Sequence, residues 1–465
     1  MNEDLIVREM SLLILLSVFR GEEHSHVLLK GVLDKNDDWE SSRKAFLKKL
    51  TMGVLERKVE LDYIISQFSN VPVNKLKPVI RTILEMGVYQ ILYMDRVYET
   101  KACNLAVELA KKRGFRQLAG FVNGVLRNIA REKDNIVYPD KEKEPLLYLS
   151  VTYSVPEWMV KFLLDQYDEN RLEKMFAESL NDAPIRVHIK SSLDEAKKEE
   201  ILKAWEEDGI EAIPCSYLPD AYALFGVDSV SRLYGYSEGF FHVQDFSSQL
   251  VGYLAPVKAG DKIADVCAAP GGKSLYIADK LELLERDLAI KDSISKRGYV
   301  FAYDISGSKV GKVLENAERM KLFNINCEVA DATVPKDALK GKADLLIADV
   351  PCSGLGIIGR KPDLKYRLKE QDLKDLTELQ KKIVTASYKC VKKGGHMIYS
   401  TCTVNKEENE EMVRWICENL PFEEAEFENL PKELEGNLVS KGAIQLMQGE
   451  RDWDGFFIAL LRRKQ

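Results

Sequence analysis

The sequence predicts a multidomain chain: an all-α domain over residues 1–135, a small α+β domain over 145–250, and an α/β, Rossmann-like domain over 251–465. Three observations carry this reading. The first 135 residues have almost no proline and apolar spacing near 3.6. A charged, proline-flanked connector follows, and from about Val257 short apolar runs alternate with helical stretches.

In the helical domain the spacing is set by Leu12, Leu15, Leu16 and Phe19, then Val79, Ile83, Met86 and Val88, then Leu105 and Leu109, and last Phe121, Val122, Val125 and Leu126. Asp134-Asn135 and then Pro139-Asp140-Lys141-Glu142-Lys143-Glu144-Pro145 mark its end. The α+β domain holds a helix near Pro156 to Tyr167 and β-like runs such as Ile185-Arg186-Val187-His188-Ile189. In the last domain, strands are predicted at Lys262 to Val266, Tyr299 to Tyr303, Ile325 to Ala330, Leu345 to Ala348 and His396 to Ser400. Their alternation with helices argues a doubly wound parallel sheet.

Composition bounds the class. With 465 residues, 45% hydrophobic and 30% charged, the chain is that of an ordinary globular protein. Its start, Met1-Asn2-Glu3-Asp4, carries acid where a signal peptide needs base, and Leu12 to Phe19 is too short to span a bilayer, so no membrane and a cytoplasmic location are expected. Eight cysteines without a C-x-x-C pair and five histidines argue against a disulfide framework and a metal site. Net charge is −7, but residues 1–135 carry +4 and the remainder −11. The basic side includes Lys111-Lys112-Arg113-Gly114-Phe115-Arg116, which fits a phosphate contact or a solvated helix end.

The first predicted strand of the α/β domain runs into Cys267-Ala268-Ala269-Pro270-Gly271-Gly272-Lys273-Ser274 and then a helix, placing small residues where a nucleotide-like ligand approaches closely. Asp304 ends the second strand, Asp331 the third and Asp349 the fourth. Each alone fits a cap, but three acids at successive strand ends fit a ribose- and base-binding edge. Asp304 lies 39 residues after Asp265, about twice the usual ~20, which an inserted surface loop or helix extension over Leu284 to Arg297 explains. A phosphate-loop NTPase is excluded by spacing, because its first glycine position is Cys267 and Pro270 removes an amide donor.

Cys352 and Cys402 each follow an apolar run, in Asp349-Val350-Pro351-Cys352-Ser353-Gly354 and Tyr399-Ser400-Thr401-Cys402-Thr403, so both are expected along one crevice. Cys267, Cys327, Cys390 and Cys417 read as small buried hydrophobes.

These motifs, with Glu408-Asn409-Glu410, Val243-Gln244-Asp245, Lys361-Pro362-Asp363, Gln380 and Asp454-Gly455-Phe456-Phe457, resemble those of the Sun-type RNA cytosine-5 methyltransferases. Gly87-Val88-Tyr89-Gln90 and Phe121-Val122-Asn123-Gly124-Val125-Leu126-Arg127 resemble the RNA-binding domain of the antitermination factor NusB. The fusion is similar to methyltransferases of small-subunit ribosomal RNA. Departures are Lys309 where Arg is usual, Tyr98 and Gln448 where Pro is usual, and Phe246 where Glu is usual.

The resemblance implies S-adenosylmethionine as cofactor, small-subunit ribosomal RNA as partner, and a monomer. It also implies a cofactor site at Cys267, Ala268, Ala269, Pro270, Gly271, Gly272 and Lys273 with Asp304, Asp331 and Asp349. Carbon 5 of cytosine is a poor nucleophile, and adding a thiolate to carbon 6 makes it enamine-like. The resemblance gives that attack to Cys402, the release step to Cys352, and a hydrogen bond to nitrogen 3 of the base to Asp349. Lys273 or a helix N-terminus is expected to support the thiolate. Methylation of an exocyclic amine fits less well, because Cys352 stands where such enzymes place a stacking aromatic. A binding protein with an inactive methyltransferase fold is the non-enzymatic alternative. Arg186 and Lys190 are candidate RNA contacts, against a reading as solvated surface, and the resemblance implies that Arg360 and Lys361, in the loop after Cys352, line the RNA channel.

Overall fold

The computed structural model describes residues 3–286 and 297–465. Most of the expected insertion over 284–297 lies outside the described residues. The chain forms two compact units, one of residues 1–181 with 358–370 and one of 182–357 with 371–465.

The first unit is helical: α1 Glu3–Phe19, α2 Ser25–Lys35, α3 Ser41–Phe68, α4 Pro78–Tyr93, α5 Glu99–Lys112, α6 Ala119–Glu132, α7 Pro145–Thr152, α8 Glu157–Leu164 and α9 Glu169–Glu178. Leu12, Leu15, Ile83, Leu109, Val122 and Leu126 meet in one core, as the 3.6-residue spacing requires. The first compact unit continues past the helical region to Asn181. Within it, Arg57 leaves helical φ/ψ inside α3, and Val59 N–H donates to Ser154 Oγ, just after α7.

In the second unit β1 Ile185–Ile189, β2 Glu211–Pro214, β3 Ala221–Phe225 and β4 Phe241–Val243 form an antiparallel sheet, ordered β2-β3-β1-β4. Helix α10 Glu195–Glu207 packs on it through Ile201 and Trp205. After α11 Phe246–Leu254 come β5 Lys262–Asp265, α12 Gly272–Glu285, β6 Tyr299–Asp304, α13 Gly307–Arg319, β7 Ile325–Val329 and β8 Ala343–Asp349. The short α14 Leu364–Arg367 belongs to the first unit, after which α15 Glu370–Ser387 leads to β9 Val391–Thr401 and α16 Glu410–Asn419. Strands β10 Phe422–Glu424, β11 Leu438–Ser440, β12 Ala443–Leu446 and β13 Phe456–Arg463 complete the sheet.

The five predicted strands, β5 to β9, are parallel neighbours in the order β7-β6-β5-β8-β9, with β13 antiparallel beside β9. Strand order therefore reverses between β5 and β8, which opens a crevice at their carboxyl ends. Buried aliphatics fill both faces of the sheet, Ile263, Leu345 and Ile398 on one and Ala264, Leu346 and Met397 on the other.

Candidate active site

Register brings the two thiols together. Asp349 lies beside Ser400 in the β8–β9 pair, so the loops leaving both strands run out side by side. Cys352 Sγ and Cys402 Sγ are 3.3 Å apart, within hydrogen-bond reach for sulfur. The hydrogen bond to Cys402, burial, and negative charge on Cys402 and Glu408 push the Cys352 thiol well above its ordinary value.

Asp349 accepts from Lys273 Nζ at 2.8 Å on one oxygen and from Ser400 Oγ at 2.8 Å on the other. Lys273 also donates to Ser248 Oγ at 3.0 Å. The lysine's charge is thus spent on Asp349 rather than on a thiol.

The loop from Cys267 to Gly272 joins β5 to α12. Gly271 has φ +109°, and a Cβ there would meet Val313 Cγ1 at 3.0 Å. No side chain caps α12, so its first N–H groups are open to an anionic group such as a carboxylate. Asp304 receives Ala269 N–H at 3.3 Å on one oxygen and Ser306 N–H at 3.1 Å on the other, which leaves lone pairs for hydroxyl donors. Asp331 holds the Thr333 N–H and hydroxyl on Oδ1 alone, leaving Oδ2 to accept. Ile305, 68% exposed beside Asp304, offers an apolar platform that periodicity could not reveal. These donors, acceptors and apolar surface fit S-adenosylmethionine. Asp265, inside the same crevice, is wholly buried, bonded to Ser274 Oγ, and pushed up to about 7 by burial.

Two expectations are corrected. Arg186 is 7% exposed, paired with Asp245 and Asp454, and Lys190 is 8% exposed, donating to the Met320 carbonyl at 2.9 Å. Both hold the fold and neither is RNA-facing surface. Of the basic run at 111–116, Lys112 and Arg113 pair with Glu9, while Lys111 and Arg116 are exposed. Cys390 is buried in the core, and Cys267, Cys327 and Cys417 are half-buried against it, their thiols pushed up by burial. Among the described residues no His, Cys, Asp and Glu group could hold a metal ion, and no helix is long and apolar enough to cross a membrane. Sequence reasoning assigned no role to Gln380 or Glu408, which form a buried network behind the thiols; their motif membership was the only signal.

Residues 251–462 match the 16S rRNA methyltransferase RsmB/F family, and residues 6–131 match the NusB family. The chain is 32% identical over 462 residues to a probable ribosomal RNA small subunit methyltransferase B of Bacillus subtilis, covering 98% of this chain and 99% of that protein. It is 30% identical over 464 residues to the corresponding protein of Synechocystis, with 98% and 99% covered. Among solved structures, PH0851 is similar at a TM-score of 0.78 and 22% identity over 98% of each chain. A methyltransferase homolog protein from Pyrococcus horikoshii is similar at a TM-score of 0.54 and 19% identity, covering 69% of this chain and 99% of that one. These last two likenesses concern the fold.

Proposed function

Because the chain belongs to the 16S rRNA methyltransferase RsmB/F family, we propose that it methylates carbon 5 of one cytosine in small-subunit ribosomal RNA, through a Cys402–cytosine adduct that Cys352 resolves. The observation that carries this reading is the 3.3 Å thiol pair next to Asp349 at the carboxyl ends of β8 and β9. The loop from Cys267 to Lys273, with Asp304 and Asp331, would hold S-adenosylmethionine, which would supply an electrophilic methyl group there.

The Cys402 thiolate adds to carbon 6, and the electron pair of the C5–C6 double bond makes carbon 5 the nucleophile. Asp349, fixed by Lys273 and Ser400, hydrogen-bonds nitrogen 3 through a proton taken up from solvent as the adduct forms, and so stabilises it. After methylation, Cys352, whose own proton has left to solvent, takes the proton from carbon 5 as a thiolate. The C5–C6 double bond re-forms, and the C6–S bond breaks to return the Cys402 thiolate. The NusB-like helices, with exposed Lys111 and Arg116, contact RNA phosphates.

The test is methyl transfer to unmodified small-subunit ribosomal RNA with product nucleosides resolved by mass spectrometry. Cys402→Ala should lose at least about 10³-fold in kcat. Cys352→Ala should accumulate a denaturation-resistant protein–RNA adduct. A methylated exocyclic amine, or full activity in Cys402→Ala, would sink the mechanism.

A further inference from the structure

Glu408 is 0% exposed, and among the described residues no cation pairs with it. Its acceptor sites are filled instead by neutral donors. Ser353 N–H at 3.0 Å and Gln380 Nε2 at 2.8 Å reach one oxygen; Ser353 Oγ at 2.5 Å and Asn405 Nδ2 at 3.1 Å reach the other. An ionised carboxylate has acceptor sites for all four, which oppose the burial that pushes the Glu408 carboxyl above its ordinary value. Ser353 spends its single hydroxyl proton on Glu408, so the 2.6 Å contact between Ser353 Oγ and Thr403 Oγ1 has Thr403 as donor. Gln380 also donates to the Pro351 carbonyl at 2.9 Å, and Tyr399 Oη holds the Glu408 carbonyl at 2.7 Å.

The partners have one thing in common. Pro351 and Ser353 flank Cys352; Thr403 and Asn405 follow Cys402. The network closes a ring through the two loops whose sulfurs touch. A buried charge without a counter-ion is a poor stabiliser compared with apolar packing, so stability alone does not explain its presence here.

Resting on the two-thiol reading above, we propose that Glu408 is a positioning residue of methyl transfer, joining the Cys352 and Cys402 loops so that both sulfurs address one cytosine. Its fixed negative charge also acts on the proton shared by the pair. Together with the hydrogen bond to Cys402 and burial, that charge pushes the Cys352 thiol up.

The test uses full-length Glu408→Gln beside wild type and Cys402→Ala, with 16S ribosomal RNA as substrate. The amide brings an NH₂ group to donors that need an acceptor, so the loops should separate, and kcat should fall about 10²-fold while the KM for S-adenosylmethionine stays within about twofold. Two readouts separate this from general loosening. The ratio of Cys402 to Cys352 carbamidomethylation by iodoacetamide should fall, and the acid limb of the kcat–pH profile should move to lower pH. Activity within threefold of wild type, or an unchanged alkylation ratio and pH profile, overturns the proposal. If Glu408→Gln does not fold, Ser353→Ala keeps the charge and removes the hydroxyl link; about 10-fold lower kcat is expected, and wild-type kcat overturns it. An active Cys402→Ala defeats the two-thiol reading itself, whereas an inactive Cys402→Ala with fully active Glu408→Gln defeats only the role of Glu408.

Discussion

Arg186 pairs with Asp245 and Asp454, and its guanidinium lies 5.2 Å from the centre of the Phe246 ring. Burying these charges is costly, and removing one partner leaves the others uncompensated. Arg186→Ala should therefore cost about 3–5 kcal/mol of stability, read as a lower denaturant midpoint. The salt dependence of RNA binding should keep its slope, because no phosphate contact is lost. A reduced slope at unchanged stability would reverse the assignment. In the sequence, Arg186 stands inside a β-like run, which says that its side chain points to one face but not that acids from distant segments wait there. The two thiols were more legible, since each lies in the loop just past a strand's carboxyl end, where such sheets have their ligand crevice.

At the scale of elements, the Asp454-Gly455-Phe456-Phe457 turn packs against the loop that follows Cys352. Gly455 N–H donates to the Gly356 carbonyl at 2.9 Å, and a Cβ on Gly455 would stand 2.6 Å from Gly356 Cα. Two backbones touch, and neither can yield as a flexible side chain would. Gly455→Ala should cost about 1–3 kcal/mol and lower methyl transfer by displacing the Cys352 loop, with S-adenosylmethionine affinity retained. Thermal unfolding and single-turnover rates on the same preparation check both parts; wild-type values for both would refute the close approach. The motif was visible in the sequence, but its reason was not. Close backbone approach depends on β13 lying beside β9, a pairing between segments more than fifty residues apart.

At the scale of the whole molecule, the chain leaves the second unit after Ile357, contributes residues 358–370 to the first, and returns at Gln371. That segment is built in. Asp363 accepts from Ser25 Oγ at 3.0 Å and lies 3.1 Å from His24 Nδ1; Lys365 Nζ donates to the Glu56 and Ser154 carbonyls at 2.7 and 2.8 Å. Burial brings Lys365 down to about 7. Below pH 7 the lysine is charged folded and unfolded, and the burial cost is fully present. As pH rises from 7 toward 10.5, the folded state loses the proton that the unfolded state keeps, so stability rises, by up to about 1.4 kcal/mol per pH unit. The denaturant midpoint of wild type should therefore climb between pH 7.5 and 9.5 relative to that of Lys365→Met; parallel curves would show that Lys365 does not titrate there.

Local sequence determined the elements and their order: a 3.6-residue period builds helices, short apolar runs build buried strands, and glycine and acid stand at the strand ends that border the crevice. These signals need only neighbours along the chain. Tertiary structure alone decided that Arg186 and Lys190 are interior, that Glu408 lies behind both thiols, and that residues 358–370 belong with the helices. Burial and partnership of a charged side chain are set by segments far away in sequence, and no local pattern records them.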